Sequence, residues 1–212
     1  MTSEELVARL AGALRPVRRL PPPPVLLAGW TALAMAVIGL AAALIGVHRT
    51  EGAGVGGFES LHLLGAALTA LLAGLAAFEL ALPDRDRRWG WLPLPGLALW
   101  LGTMGAGCLG QWMDAGPDGI PFWVSWQCMG FIAGLGLPLS VAILWLTRHA
   151  AWARPGPVAA CGALSAAAFA SLGLTLVHPT YGPVMVLAWH GLAVLAVTGL
   201  MAMAAPRLMR AA

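Results

Sequence analysis

The chain has 212 residues, of which 59% are hydrophobic and 10% are charged. This composition excludes a soluble globular domain, because too few polar residues remain to cover a surface in water. The formal net charge of +3 is the difference between twelve basic residues, all of them arginine, and nine acidic residues. How the arginines are distributed along the chain is more informative than their sum.

The N-terminal segment predicts a short amphipathic helix. Thr2 and Glu5 have the spacing of a capping box, in which each side chain bonds the backbone N–H of the other residue. Apolar residues form a stripe along one face of this helix. That stripe is compatible with two roles: an interfacial helix held on anionic lipid by Arg15, Arg18 and Arg19, or a peptide that fills the groove of a cytosolic partner. The apolar residues at helical spacing along one face are Leu6, Val7, Leu10, Ala11, Leu14 and Val17.

Six apolar runs follow a stiff proline spacer, Pro21–Pro24, of ~12 Å. Each run has the ~20 residues that a helix needs to cross the ~30 Å hydrocarbon core. We therefore predict an all-α polytopic membrane protein, a six-transmembrane-helix bundle with a short cytoplasmic N-terminal amphipathic helix. The predicted spans are Val25–Val47, Leu61–Leu82, Trp91–Gly110, Cys128–Thr147, Pro157–Val177 and Pro183–Ala205.

The arginines predict how the bundle is oriented. Eleven of the twelve fall in segments on one side of the predicted membrane, and only Arg49 falls on the other. By the positive-inside rule, that side is the cytoplasm and contains both termini. The chain then divides into a cytoplasmic segment 1–24, a transmembrane domain 25–205 and a cytoplasmic tail 206–212. Glu79, near the inner end of the second run, is expected to reach the interface or an arginine.

Two of the three cysteines lie on either side of the longest polar interruption in the chain, which contains the outward segment 111–127. Cys108 and Cys128 have the same predicted depth, and a disulfide across their nineteen intervening residues would contribute ~3 kcal/mol of chain entropy. They are otherwise a redox- or metal-sensitive thiol pair, or small apolar residues without a chemical role. Cys161, near the inner end of the fifth run, is expected to be structural.

One histidine lies inside a predicted span. His190 is in the sixth run, where an ionisable side chain is unfavourable unless it faces the bundle, so it is a functional candidate. His178 lies in the last outward segment, 178–182. Thiolate and imidazole ligands together favour soft metals, although no dense metal-binding motif accompanies them.

Several short motifs are spread along the chain: Pro16-Val17-Arg18-Arg19-Leu20, Ala77-Phe78-Glu79-Leu80 with Pro83 and the arginines before Trp89, Gly107-Cys108-Leu109 with Trp112, Ser125-Trp126 with Cys128, and Trp189-His190-Gly191. Together they resemble the NrsF family, the negative regulators of sigma F, over nearly the whole chain. The resemblance implies a six-span anti-sigma factor of the bacterial inner membrane. The N-terminal segment of such a protein, residues 1–20 here, binds an extracytoplasmic-function sigma factor, and heavy-metal or oxidative stress releases it.

The resemblance also suggests site residues. Cys128 matches the first signalling cysteine of the family, but His178 stands where the family has a second cysteine, before Pro179. Cys108 can replace that partner, or Cys128 and His178 can bind a metal. The sensing candidates are Cys108, Cys128, His178 and His190, and the partner-binding candidates are Leu6, Val7, Leu10, Leu14, Arg18 and Arg19.

No enzymatic activity, no direct nucleic-acid binding and no resident cofactor is expected, apart from transient binding of a heavy metal. Two other classes remain as alternatives. A haem- or quinone-linked electron carrier needs histidine pairs on facing spans, and only His190 is clearly intramembrane. A small transporter is disfavoured because charged residues are lacking near the membrane midplane.

Overall fold

The structure is a computed structural model that describes residues 2–12, 20–47, 57–116, 126–150, 153–177 and 183–208. Within these ranges the chain is all-α, as predicted, with seven α-helices, one short 3₁₀ helix and no strand. The helices are α1 (Ser3–Gly12), α2 (Pro23–Ile45), α3 (Gly57–Leu80), α4 (Leu94–Ala115), α5 (Trp126–Leu146), α6 (Pro155–Val177) and α7 (Pro183–Leu208).

Helices α2 to α7 confirm the six predicted spans. Each of them is long and apolar enough to cross a membrane, so the chain is a multi-pass membrane protein. Their ends lie within a few residues of the predicted ends, and the largest difference is at the end of α4.

The start of α4 is displaced because a separate turn precedes it. Arg87–Trp91 form a 3₁₀ helix, and the Oδ1 atom of Asp86 accepts a hydrogen bond of 2.9 Å from the backbone N–H of Arg88. Pro93 and Pro95 then flank the first residue of α4. Proline is tolerated there because N–H groups in the first turn have no partner within the helix.

The end of α4 shows that one prediction was wrong. The helix continues to Ala115, so residues 111–115 are helical and do not belong to a loop. Gly116 terminates it with φ of +69°, a conformation that glycine adopts without strain, and its N–H donates to the carbonyl of Trp112 at 2.9 Å. The longer helix brings the Oε1 atom of Gln111 within 3.2 Å of the backbone N–H of Val184, at the start of α7.

Helix α6 is the centre of the bundle. It packs against α2, α3, α5 and α7 and is the most deeply buried of the six spans. Most of its buried positions are alanine, glycine or serine. Small side chains let neighbouring backbones approach closely, which explains why this helix can contact several others at once.

Helices α3 and α4 meet at two glycines. A Cβ atom added to Gly65 would lie 2.6 Å from the backbone nitrogen of Trp100, and one added to Gly96 would lie 2.6 Å from that of Thr69. Only glycine permits this approach, because no side-chain atom fits at that distance. Other glycines face open space, with nothing within 4 Å of an added Cβ: Gly105, Gly110, Gly130 and Gly134.

Packed pairs show that consecutive spans run in opposite directions. In α5 and α6, Gly136 lies against Ala167 and Ile143 lies against Gly162, so the numbering rises in one helix as it falls in the other. Alternation brings the start of α2, the α3–α4 loop and the α5–α6 loop to one end of the bundle, the arginine end. Cys108 and Cys128 lie toward the opposite end, the cysteine end. The described arginines at the arginine end are Arg85, Arg87, Arg88, Arg148, Arg154 and Arg207.

Candidate functional site

The capping box predicted for the N-terminal helix is present. The backbone N–H of Thr2 donates to Oε2 of Glu5 at 2.8 Å, and the N–H of Glu5 donates to Oγ1 of Thr2 at 3.2 Å. Each side chain thus binds an N–H group that lacks a partner within the first helical turn. These bonds define where α1 begins, and the described helix ends at Gly12.

The apolar stripe of α1 is exposed. Leu6, Val7 and Leu10 are 41%, 65% and 59% exposed, and no residue of α1 is buried. These three side chains therefore form an apolar face that the bundle does not cover. Leu14, Arg18 and Arg19, the other partner-binding candidates, lie outside the described residues.

The candidate sensing cysteines differ in exposure. Cys128 is the third residue of α5 and is buried in the core, whereas Cys108, in the second half of α4, is half-buried. All three cysteines lie in the described part of the chain, and each is a thiol rather than half of a disulfide. Cys161 is buried in α6, which agrees with its expected structural position.

His190 faces the interior of the bundle, as its place in an apolar run requires. It is 6% exposed, and its Nδ1 atom lies 3.1 Å from Oγ of Ser171 on α6. The hydrogen bond has either atom as donor, depending on the tautomer of the imidazole. It joins α7 to α6 on the side of the midplane that is nearer the cysteine end.

A second polar cluster, which the sequence did not reveal, lies between α3 and α4. The indole Nε1–H of Trp100 donates to Nε2 of His62 at 3.4 Å, and Nδ1 of His62 lies 3.5 Å from Oγ1 of Thr103. The Thr103 hydroxyl in turn donates to the carbonyl of Trp100 at 2.8 Å. Nε2 of His62 is thus the acceptor, so the neutral ring carries its proton on Nδ1. In the sequence, the spacing of Trp100 and Thr103 places both on one side of a helix. That spacing does not identify His62 as their partner.

The arginine end contains the expected pairing of Glu79. This side chain is only 7% exposed, and its Oε2 atom lies 3.0 Å from Nε of Arg85. Because that oxygen receives no aligned hydrogen bond from the described residues, the contact is a charge pair. Nη1 of Arg154 also donates to the carbonyl of Arg85 at 2.9 Å, which connects two loops at this end.

The predicted metal site is only partly described. Cys128 has a definite place, whereas His178 lies outside the described ranges. Among the residues that the structure does describe, no three histidine, cysteine, aspartate or glutamate side chains converge as a metal site would require. Binding of a metal by Cys128 and His178 therefore stays a prediction.

These features define a multi-pass helical membrane protein with one short amphipathic helix that the bundle does not cover. The chain belongs to the NrsF family, described as negative regulators of sigma F, whose family model matches residues 10–210. No curated protein and no solved structure matches it. The family assignment confirms the resemblance seen in the sequence. It implies a regulator that interacts with a sigma factor, which is not an enzyme class.

Proposed function

We propose that this protein is an anti-sigma factor that sequesters an extracytoplasmic-function sigma factor at the bacterial inner membrane through residues 1–20. The observation that carries the proposal is the exposed apolar face of Leu6, Val7 and Leu10 on α1. A regulator of a sigma factor needs a surface that binds it. An uncovered apolar stripe on a helix fits a hydrophobic groove in such a partner.

Sequestration follows from the position of this helix in the chain. The four prolines do not form the predicted extended spacer, because Pro23 and Pro24 are the first residues of α2 and only Pro21 and Pro22 precede it. Residues 1–20 come just before the first span in the sequence, so a bound sigma factor is held close to the membrane. Held there, it cannot reach RNA polymerase on the chromosome, and the regulator itself has no need to bind nucleic acid. The bilayer is the second partner, and anionic lipid is the competing ligand for the apolar stripe.

The proposal places the arginine end in the cytoplasm, with both chain termini. Arginine is concentrated at that end, and the positive-inside rule associates such loops with the cytoplasm. A reporter fused after Ala212 or between Asp84 and Arg88 is expected to be cytoplasmic, and one fused beside Gly116 external. A cytoplasmic signal from the Gly116 fusion would contradict this orientation.

The cysteine end then faces outward, where we propose that heavy-metal or oxidative stress is sensed. Cys128 is the principal sensing candidate. Cys108, His178 and His190 are the candidates for forming a disulfide or binding a metal together with it. Thiols form disulfides and bind soft metals, and imidazole adds a second soft ligand. The bundle needs to transmit only ~1.4 kcal/mol to weaken sigma-factor binding tenfold.

Charge on the apolar stripe of α1 tests sigma-factor binding. Leu6→Asp with Leu10→Asp is expected to derepress sigma-dependent transcription, because each lost anchor weakens the complex by ~2 kcal/mol or more. The matched control, Ala8→Asp with Gly12→Asp, puts the same two charges on the far side of the helix. A transcriptional reporter, with immunoblots of membranes, measures both variants. Continued repression by the Leu6/Leu10 variant at normal membrane amounts would refute the proposal.

Serine substitution of the cysteines tests sensing separately. Cys128→Ser is expected to reduce induction by cadmium chloride while basal repression is retained, because repression belongs to the other side of the membrane. Cys161→Ser is the control and is expected to respond normally. Cys108→Ser distinguishes the chemistries, since a disulfide with Cys128 requires it and a Cys128–His178 metal site does not. Full induction of a Cys108/Cys128/His178 triple variant would exclude sensing by these residues.

A further inference from the structure

Helix α2, which connects the N-terminal segment to the bundle, is attached along one narrow line. The buried residues that form this line, the α2 seam, are Trp30, Ala34, Ile38 and Ala42. They recur every four residues and so lie on one face of the helix. Beside the seam, Leu26, Leu27 and Val37 are partly buried against the core. Six other large side chains of α2 are exposed, so the fully buried contacts that position this helix are concentrated in the seam.

Trp30 attaches the inner half of α2 through a chain of hydrogen bonds. Its indole Nε1–H donates to Oγ of Ser165 at 3.0 Å, and that hydroxyl donates to the carbonyl of Ala70 on α3 at 2.6 Å. Its ring also packs edge to face against Phe169, with centroids 6.4 Å apart. Gly74 leaves space for the indole, since an added Cβ would lie 3.3 Å from Cδ1 of Trp30.

Ile38 attaches the outer half of α2 by shape. A Cβ atom added to Gly173 of α6 would lie 2.8 Å from Cγ2 of Ile38, so the side chain fits where a glycine leaves room. Ile38 is 3% exposed. The two attachment points are eight residues, or about 12 Å, apart along the helix axis. Contacts so far apart restrict both sliding and tilting of α2.

We propose that Trp30 and Ile38 are positioning residues, which hold α2 against α3 and α6 in the repressing state. Displacement of α2 from this position releases the sigma factor. The inference rests on the proposed function, because it assigns to α2 the transmission of the outer signal to residues 1–20. Two features point to α2: it is the span that follows those residues in the sequence, and it is the least buried of the six spans.

The first experiment weakens the seam in unstressed cells. Ile38→Ala is expected to raise sigma-dependent transcription at least fivefold, because it loosens α2 without touching α1. The matched control is Ile143→Ala, which removes an equally buried isoleucine that fits against Gly162 and holds α5, not α2, on α6. Equal reporter activity in the two variants, at equal membrane amounts, would overturn the proposal.

Substitutions at Trp30 separate positioning from a general loss of structure. Trp30→Phe keeps an aromatic ring, though a smaller one, but loses the N–H group, so its reporter activity is expected to lie between those of the wild type and Trp30→Ala. Ser165→Ala removes the same hydrogen bond, and combining it with Trp30→Phe should raise transcription no further than the stronger single variant. Full repression by Trp30→Ala at normal membrane amounts would contradict the role of the indole.

A disulfide across the seam tests displacement directly. An added Cβ on Gly173 would lie 3.5 Å from Cβ of Ile38, within the range that a disulfide requires. Ile38→Cys with Gly173→Cys, once oxidised, is therefore expected to abolish induction by cadmium chloride. The control disulfide, Ile143→Cys with Gly162→Cys, has the same 3.5 Å Cβ–Cβ separation but joins α5 to α6. It is expected to leave induction intact, with both disulfides verified by mass spectrometry.

The outcomes distinguish this inference from the proposed function. Normal induction in the variant with the α2–α6 disulfide formed would overturn the assignment to α2. Loss of induction in both disulfide variants would overturn it as well. If cadmium does not induce the wild type, the inference about α2 is tested by comparing sigma-dependent transcription in Ile38→Ala and Ile143→Ala in unstressed cells. Derepression by the Leu6/Leu10 aspartate variant without any effect of Ile38→Ala would remove the inference alone. Full repression by the Leu6/Leu10 aspartate variant and by Ile38→Ala would contradict the proposed function as well.

Discussion

Helices α2 and α6 are both apolar and 23 residues long, yet they occupy opposite places in the bundle. Five of the 23 residues of α2 are buried, compared with fifteen of the 23 residues of α6. The buried positions of α6 are mostly small, whereas α2 directs large side chains away from the bundle. Lipid is as apolar as leucine, so exposing such side chains in a membrane carries no penalty. Hydropathy therefore predicts a span, and side-chain size decides whether the span is central or peripheral.

A larger side chain should disrupt α6 and leave α2 unaffected. Ala167 is fully buried in α6, and Ala167→Leu is expected to lower the free energy of unfolding by ~3 kcal/mol, the upper end for overpacking. Ala36→Leu makes the same change on the exposed side of α2 and is expected to shift it by less than ~0.5 kcal/mol. Unfolding in detergent measures both, and equal shifts would contradict the distinction between the two helices.

Glycines of the two helices provide a finer comparison. A Cβ added to Gly162 of α6 would lie 2.9 Å from Cγ2 of Ile143, so Gly162→Ala forces that side chain to move and is expected to destabilise the bundle by ~1 kcal/mol. Gly39 of α2 has nothing within 4 Å, so Gly39→Ala should cause no loss of stability. Greater destabilisation by Gly39→Ala in the same unfolding assay would show that α2 is more enclosed than its exposure indicates.

The smallest effect on the whole molecule is expected at α1, which is exposed throughout. Thr2→Ala removes one half of the capping box and should destabilise this helix locally by ~1 kcal/mol, with no change in the unfolding of the bundle. Hydrogen exchange of the amides in residues 3–12 measures the local effect. Ser3→Ala, which leaves the capping box intact, is the control. A shift of the bundle transition in Thr2→Ala would mean that α1 packs against the spans.

Much of the architecture could be predicted because it depends on local properties. Six apolar runs of sufficient length specify six helices, since an unpaired backbone in lipid is very unfavourable. The capping box depends on residues three apart, and the partner of Glu79 lies six residues along the chain. In each case the interacting groups are near in sequence, so their spacing predicts the contact.

The candidate sites depended on contacts that spacing cannot supply. Trp30 and Ser165 are 135 residues apart, and His62 and Trp100 are 38 apart. Every span is apolar on all sides, so no periodic pattern indicates which face meets which neighbour. By itself the sequence determined the number of spans, their approximate ends and the start of the N-terminal helix. Only the tertiary structure decided that α6 is central, that α2 is held along one seam and that Cys128 is buried, because long-range packing of side-chain shapes selects the neighbours of each helix.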